Sequence, residues 1–409
     1  MKPGPSRVHW EDMLPFLTAP QSAAACAGML ALGASSFRVL VPDVARTRAA
    51  RVAAVSVVAI AALAHVAWVA SPTYPGSYWG AVVALVLLVL LPMVVASVPV
   101  AAVMRSLAKR ALRARGESAS GPTLGRRAVL AAATSFAPAV ALGTGISGFV
   151  SGAAPPKMPR VRLEYDGLPV GLVGLRVLHL SDLHLGVERH VEDLEEALDR
   201  LRGDVPDLIV FTGDVADVVG ELDAALSAAV ALSPRLGVYA SLGNHEYLHD
   251  VQRARDVYRH RDDVRLLVGE GERIRVGGVD LWVAGADDPV QVHLDPTPFL
   301  DRTIAAAVRD APPDAFRLLL SHRPEGLVPA ARRKVDLVLS GHTHGGQIGF
   351  NGKSAFEPIW NGRYLWGPYA RGRTRLYTTS GFGHWFPFRL GCPSEAPIIE
   401  LARAPSRVG

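Results

Sequence analysis

At 409 residues the chain has room for two or three domains, and 49% hydrophobic residues with a mean hydropathy of +0.22 are too apolar for an ordinary soluble enzyme. A formal net charge of +5 does not call for a nucleic-acid partner, because much of the basic excess lies beside long apolar runs, where membrane topology accounts for it. The two cysteines, Cys26 and Cys392, lie in different parts of the chain, which excludes a disulfide framework within the C-terminal part.

In chain order, residues 1–150 are expected to form an α-helical membrane region of three to four spans. Val52 to Ala70 and Trp79 to Met104 are each long enough for a bilayer at about 20 residues per crossing, and Ala128 to Val150 carries no charge. An earlier run, Leu14 to Val41, contains Pro15, Pro20 and Arg38 and counts as the fourth. Arg46, Arg48 and Arg51 precede the second span, seven basic residues against Glu117 lie between Arg105 and Arg127, and Ser71 to Tyr78 is uncharged. Lys and Arg favour the cytoplasmic side, so the pattern places everything after Val150 outside the cytoplasm. Arg126-Arg127 reads either as a twin-arginine export signal embedded in the chain or as the basic flank of a membrane helix. Residues 151–160, with Ala153-Ala154-Pro155-Pro156, read as a linker or a cleavage site.

From Val161 onward short apolar runs alternate with helical patterns. Arg176 to Ser181, Asp207 to Thr212, Gly237 to Leu242, Val279 to Gly285, Phe316 to Ser321 and Val335 to Ser340 suit strands covered on both faces. Helices are expected at Val191 to Leu201, Glu221 to Leu232 and Val251 to Tyr258. The alternation implies an α/β layered domain over 161–405, with ligands at the C-terminal ends of its strands.

Those ends collect the chemistry. Asp182 and His184 follow the first run, Asp214 and Asp217 the second, and Asn244, His245 and Glu246 the third; His322 ends the fifth, and His342 and His344 follow the sixth. Each has an ordinary reading by itself: an Asp after a strand is usually a helix cap or turn former, and a lone histidine such as His179 is usually a core residue. Independent turn residues have no reason to recur in this set of types after so many strands. Carboxylate, carboxamide and imidazole ligands without thiolate suit Mn, Fe or Zn. Two such cations at about 3.5 to 4 Å need a shared anion between them.

The ordered set, Asp182-x-His184, Gly213-Asp214-x-x-Asp217, Gly243-Asn244-His245-Glu246, His322 and Gly341-His342-x-His344, is the signature of the calcineurin-like metallophosphoesterases. With apolar runs ahead of it and GHTHGGQ as its last motif, the chain resembles the membrane-anchored bacterial branch of that family. The resemblance implies a four-layer α-β-β-α domain holding two divalent metal ions. It assigns Asp182, His184 and His344 to one ion, Asn244, His322 and His342 to the other, and Asp214 to both. It makes His245 the general acid, oriented by Asp217, and Glu246 structural. Arg389, in a family-like Pro-x-Arg context, is the expected substrate-binding residue, with Arg323 a weaker candidate. The function implied is hydrolysis of a phosphodiester or pyrophosphate by metal-activated water, on a phosphorylated substrate that tethering makes a lipid-linked or cell-envelope one. The alternatives are a phosphomonoesterase, protein phosphatase or nuclease, or a metal-binding scaffold without turnover. A transporter is disfavoured because the spans carry few ionisable residues, chiefly His65 and Arg38. No nucleic-acid module is present, and nothing in the pattern specifies an oligomeric state.

Overall fold

The computed structural model describes residues 91–114, 124–186, 188–290, 295–360, 363–384 and 387–405, with scattered positions between 24 and 66. The chain divides into two compact units, one of residues 1–8, 151–385 and 389–409, the other of residues 9–150 and 386–388.

The region before the linker contributes helices α1 (Leu91–Ala114) and α2 (Leu124–Ala153). Ala128 to Val150 is helical as expected, within α2. Among the described residues, however, no helix is long and apolar enough to cross a membrane. The spans expected at Leu14 to Val41 and Val52 to Ala70, and the first half of Trp79 to Met104, lie largely outside the described residues.

The larger unit holds strands β1 (Arg160–Tyr165), β2 (Arg176–Leu180), β3 (Leu208–Thr212), β4 (Val238–Ser241), β5 (Val264–Leu266), β6 (Glu270–Val276), β7 (Val279–Gly285), β8 (Phe316–Leu320), β9 (Leu337–Ser340), β10 (Gly349–Phe350), β11 (Lys353–Ser354), β12 (Gly367–Arg371), β13 (Thr374–Thr378) and β14 (Ile398–Arg403). Two six-stranded mixed sheets result, in the orders β1-β14-β2-β3-β4-β5 and β12-β13-β9-β8-β7-β6. Within them β2, β3, β4 and β5 run parallel, as do β7, β8, β9 and β13. All six strands expected from sequence are present.

Near-continuous apolar runs are required because successive side chains point to opposite faces and both faces are buried. Val177, Leu208 and Val210 of one sheet share a core with Leu318, Leu320, Leu337 and Leu339 of the other. Their neighbours Leu178, Ile209 and Phe211 turn the other way, onto helices α3 (Val191–Asp199), α4 (Leu222–Ala231) and α6 (Val251–Arg259). Leu319 and Val338 likewise face α7 (Thr297–Ala307) and α8 (Leu327–Arg332). The layers are therefore α-β-β-α, the arrangement expected from sequence. Between β4 and α6 lies α5 (Asn244–His249), a helix of six residues that begins at the end of its strand.

Candidate metal centre

The parallel order delivers the loops after β2, β3, β4, β8 and β9 to one end of the sandwich. Asp182 and His184 donate their backbone N–H groups to the carbonyls of Gly213 and Asp214, and Gly341 N–H donates to His322 O, so neighbouring loops are tied together. Five residues on these loops, Asp182, His184, Asp214, His342 and His344, have φ between 49° and 67°. The left-handed region costs an ordinary L-residue roughly 1–2 kcal/mol, so this end of the fold holds conformations that the rest of the structure must sustain. Glycine is needed where the loops nearly touch. A Cβ on Gly341 would sit 1.9 Å from Asp182 Oδ2, and one on Gly243 2.3 Å from Asp214 Oδ1.

Two groups of side chains converge there. Asp182, His184 and His344 form one, and Asp214, His322 and His342 the other, each with ligand-type atoms within 4.8 Å of one another. His184 Nε2 lies 3.2 Å from His344 Nε2, and His344 Nε2 lies 3.5 Å from Asp182 Oδ1. In the second group His322 Nε2 is 3.1 Å from Asp214 Oδ2, 3.0 Å from Asn244 Oδ1 and 3.2 Å from His342 Nδ1. Asp214 Oδ2 stands between the groups, 3.9 Å from His184 Nε2.

Tautomers follow from fixed partners. Thr212 O can only accept, so His322 Nδ1 donates to it at 2.8 Å and Nε2 keeps its lone pair. Asp217 accepts from His184 Nδ1 at 3.1 Å, which likewise leaves the lone pair of His184 Nε2 facing inward. The lone pair of His322 Nε2 thus faces Asp214 Oδ2 at 3.1 Å and Asn244 Oδ1 at 3.0 Å with no proton between them while the ring is neutral. A cation relieves that repulsion, and the mixture of nitrogen and oxygen donors without thiolate fits Mn, Fe or Zn. The protein's own relief is an extra proton: burial lowers the His322 pKa, but the Asp214 charge outweighs it and raises the ring to about 10. Asp214 in turn is held well below the usual carboxylate range, the neighbouring charges of His322 and His245 overcoming its burial. His342 and His344 are kept well below the ordinary histidine value by burial, and so stay in the neutral form that binds metals.

His342 fits less simply than the others. Arg323 Nη1, which can only donate, lies 3.1 Å from His342 Nε2, so with His322 neutral the ring proton belongs on Nδ1, where it is donated to His322 Nε2. Ligation through Nδ1 would expel that proton, and ligation through Nε2 would displace the guanidinium. Arg323 is itself buried and paired with Asp288, its Nε donating to Asp288 Oδ2 at 2.8 Å. Sequence reasoning gave Arg323 a weak phosphate-binding role and passed over Asp288. The signal available was an arginine directly after a ligand histidine.

Beside the two groups stands His245, whose Nδ1 donates to Asp217 Oδ1 at 2.7 Å. Burial works against its charged form, yet Asp214 and Asp217 outweigh it and raise the ring to about 9. Asp217 is largely enclosed, its side chain about 10% exposed, and serves both His184 and His245 instead of lying solvated on a surface helix. The Glu246 carboxylate accepts the N–H groups of Gly243, Asp214 and Val215 at 2.8, 3.0 and 2.8 Å, the structural role expected of it. His179 is a core residue, its Nε2 2.8 Å from Thr212 Oγ1.

Arg389 is placed differently from the expectation. It is fully buried, and its guanidinium donates to the carbonyls of Ser380, Gly383 and Cys392 at 2.8, 2.6 and 3.2 Å. Both terminal nitrogens of the guanidinium are thus engaged by main-chain carbonyls inside the fold, and only Nε is left without a partner. The loop it holds packs on the centre: Phe382 and Gly383 donate to the carbonyls of Ser181 and Asp182, so Arg389 supports the first ligand group from behind.

A model of the calcineurin-like phosphoesterase family matches residues 175–346. The chain is 33% identical over 250 residues to an uncharacterized metallophosphoesterase of Aquifex aeolicus, covering 60% of this chain and 91% of that one. It is 31% identical over 253 residues to an uncharacterized metallophosphoesterase of Campylobacter jejuni and 30% over 272 residues to a transmembrane protein with metallophosphoesterase domain of Danio rerio. It spans only 64% and 60% of the length of these two relatives. The matched family region takes in every strand end that builds the centre, and the chain belongs to the calcineurin-like metallophosphoesterase family.

Proposed function

We propose that the protein is a dinuclear metal-dependent phosphoesterase that hydrolyses a phosphodiester or pyrophosphate. The observation that carries this reading is the pair of adjoining ligand groups with Asp214 Oδ2 between them, 3.1 Å from His322 Nε2 and 3.9 Å from His184 Nε2. Asp182, His184 and His344 would hold one divalent cation, and Asn244, His322 and His342 the other, with Asp214 shared. When bound, the two cations supply Lewis-acid activation of water and neutralisation of phosphoryl charge.

The chain's own groups do the remaining work. His245, kept protonated near neutrality by Asp214 and Asp217, donates its proton to the departing alkoxide. Asp217 holds that ring by Nδ1 and the His184 ring by its Nδ1, so one carboxylate orients both the acid and a ligand. Glu246 fixes the loops after β3 and β4 against each other through three main-chain N–H groups.

The reading extends to a membrane anchor, with the centre outside the cytoplasm and a lipid-linked or envelope phosphate ester as substrate. The apolar, charge-poor runs before residue 151 and their flanking arginines support it, as do relatives of Danio rerio and Bos taurus named as transmembrane proteins. Fractionation of cells making the full chain tests the anchor; recovery in the soluble fraction would remove it. A reporter fused after Gly409 tests the side, and activity confined to the cytoplasm would reverse the assignment. The reaction itself is tested with bis-p-nitrophenyl phosphate and Mn²⁺: hydrolysis abolished by chelator and restored by metal is expected, and chelator-insensitive hydrolysis, or none with metal bound, would refute it.

A further inference from the structure

A third cluster of ligand-type side chains stands beside the two already described, on the short helix after β4. His245 and His249 are four residues apart in His-Glu-Tyr-Leu-His, the spacing that sets two imidazoles on one helical face and holds zinc elsewhere in proteins. Both rings turn toward Asp217. His245 Nδ1 lies 2.7 Å and His249 Nε2 3.4 Å from Asp217 Oδ1, and the two ring centroids are 5.5 Å apart. One ligand-type atom from each of the three residues lies within 4.8 Å of the other two. Each side chain keeps 10 to 11% of its surface accessible, so solvent reaches the cluster's edge.

We propose that Asp217, His245 and His249 form a third, weaker site for a transition-metal ion of the zinc type, and that filling it inhibits turnover. Two imidazoles and one carboxylate, with a position left for water, are an established zinc donor set, whereas Ca²⁺ and Mg²⁺ prefer oxygen throughout. Ligand atoms each about 2.0 to 2.1 Å from a tetrahedral ion are roughly 3.3 Å apart. The observed 2.7 and 3.4 Å from Asp217 Oδ1 bracket that separation, and the two imidazole donors lie within 4.8 Å of each other. Glu246, between the two histidines, is committed to three main-chain N–H groups and is not a base for this site.

Occupation replaces the His245 Nδ1 proton now shared with Asp217 and releases it to solvent. The ring would then lose its orienting carboxylate, and its remaining Nε2 proton would be much less acidic than that of the imidazolium. His184 keeps Asp217 Oδ2 at 3.2 Å, so the first ligand group is not dismantled. The inhibition rests on His245 being the proton donor of the proposed reaction; the metal count does not.

The full-length protein is loaded with Mn²⁺, dialysed against graded Zn²⁺, and assayed for total manganese plus zinc per chain and for hydrolysis of diphenyl phosphate, a poor leaving group that needs the acid. Wild type is expected to take up a third equivalent while activity falls. His249→Ala and His249→Gln should stop at two equivalents and need at least tenfold more zinc for half-inhibition, measured relative to each variant's own zinc-free rate. Thermal unfolding checks that at least one variant is folded. Equal total metal in wild type and folded variants would overturn the third site. A third equivalent lost in the variants without any effect on inhibition would leave the site and refute its inhibitory role. Absence of manganese-supported hydrolysis would instead count against the dinuclear reading, because the difference in zinc equivalents is read without turnover.

Discussion

Replacing His245 by Ala separates the proposed proton donor from the candidate metal ligands. The substitution deletes the imidazole that donates to Asp217 Oδ1 at 2.7 Å, but it keeps the main-chain N–H that donates to Asp214 Oδ1 at 2.8 Å. Asp217 still holds His184 Nδ1 at 3.1 Å, so the ligand group of Asp182, His184 and His344 stays supported. The loss should therefore fall on chemistry. Removing one general acid costs about 10² to 10⁴ in rate, which is roughly 2.7 to 5.4 kcal/mol of barrier. The assay compares kcat on diphenyl phosphate and on bis-p-nitrophenyl phosphate, with metal content measured on the same samples. Phenolate needs a proton more than p-nitrophenolate does, so the loss should be clearly larger on the diphenyl ester. A variant that arrives without metal, or that loses the same factor on both esters, would refute the reasoning.

Three further outcomes are expected. Glu246→Ala strips three buried N–H groups of their acceptor; at about 1 kcal/mol or more each this is about 3 kcal/mol, or roughly 6 to 12 °C in the thermal midpoint of a domain this size, and an unchanged midpoint would contradict the structural role. Arg389→Met leaves the carbonyls of Ser380, Gly383 and Cys392 without their donor and should lower the thermal midpoint with KM unchanged in whatever folds, whereas a raised KM at full stability would restore the substrate-binding role. Glu395 is held above its usual pKa by burial, against the opposing hydrogen bonds from Ser380, Trp366 and Tyr377. The folded state therefore keeps its proton to higher pH than the unfolded chain does, and this group's contribution to stability is lost as pH rises from the unfolded value through the folded one. Glu395→Gln should flatten that fall in thermal midpoint above about pH 4.5; an identical pH profile would contradict it.

The strands and the convergence of the candidate ligand residues were legible in the sequence because one physical demand produces both signals. A strand covered on both faces must be apolar through its length, as in Leu208 to Phe211, and the first polar residues after it mark where the strand leaves the core. Repeating that boundary at Asp182, Asp214, Asn244, His322 and His342 named the loops that meet. The left-handed backbone at five ligand positions was not legible, since Asp and His carry no mark of φ, and only Gly341 and Gly243 hinted at the close approach. The substrate-binding role expected of Arg389 came from its Pro-x-Arg context, and nothing in that context marks the carbonyls of Ser380, Gly383 and Cys392 that gather around it. His249 was passed over although its distance of four residues from His245 was visible, because its meaning depends on where Asp217 sits. The long apolar runs before residue 151 had a clear hydropathy signal, yet among the described residues no helix meets the length and apolarity a membrane crossing needs.

In a dinuclear centre of this kind the position shared by both ligand groups falls to Asp214. Metal analysis of the purified full-length protein after equilibration with Mn²⁺ and dialysis should give two equivalents per chain for wild type. Asp214→Asn, which keeps the shape but removes the charge between the ligand groups, should retain at most one and lose hydrolysis of bis-p-nitrophenyl phosphate. Two tightly held equivalents in Asp214→Asn, or full turnover by a wild-type chain holding one, would contradict it.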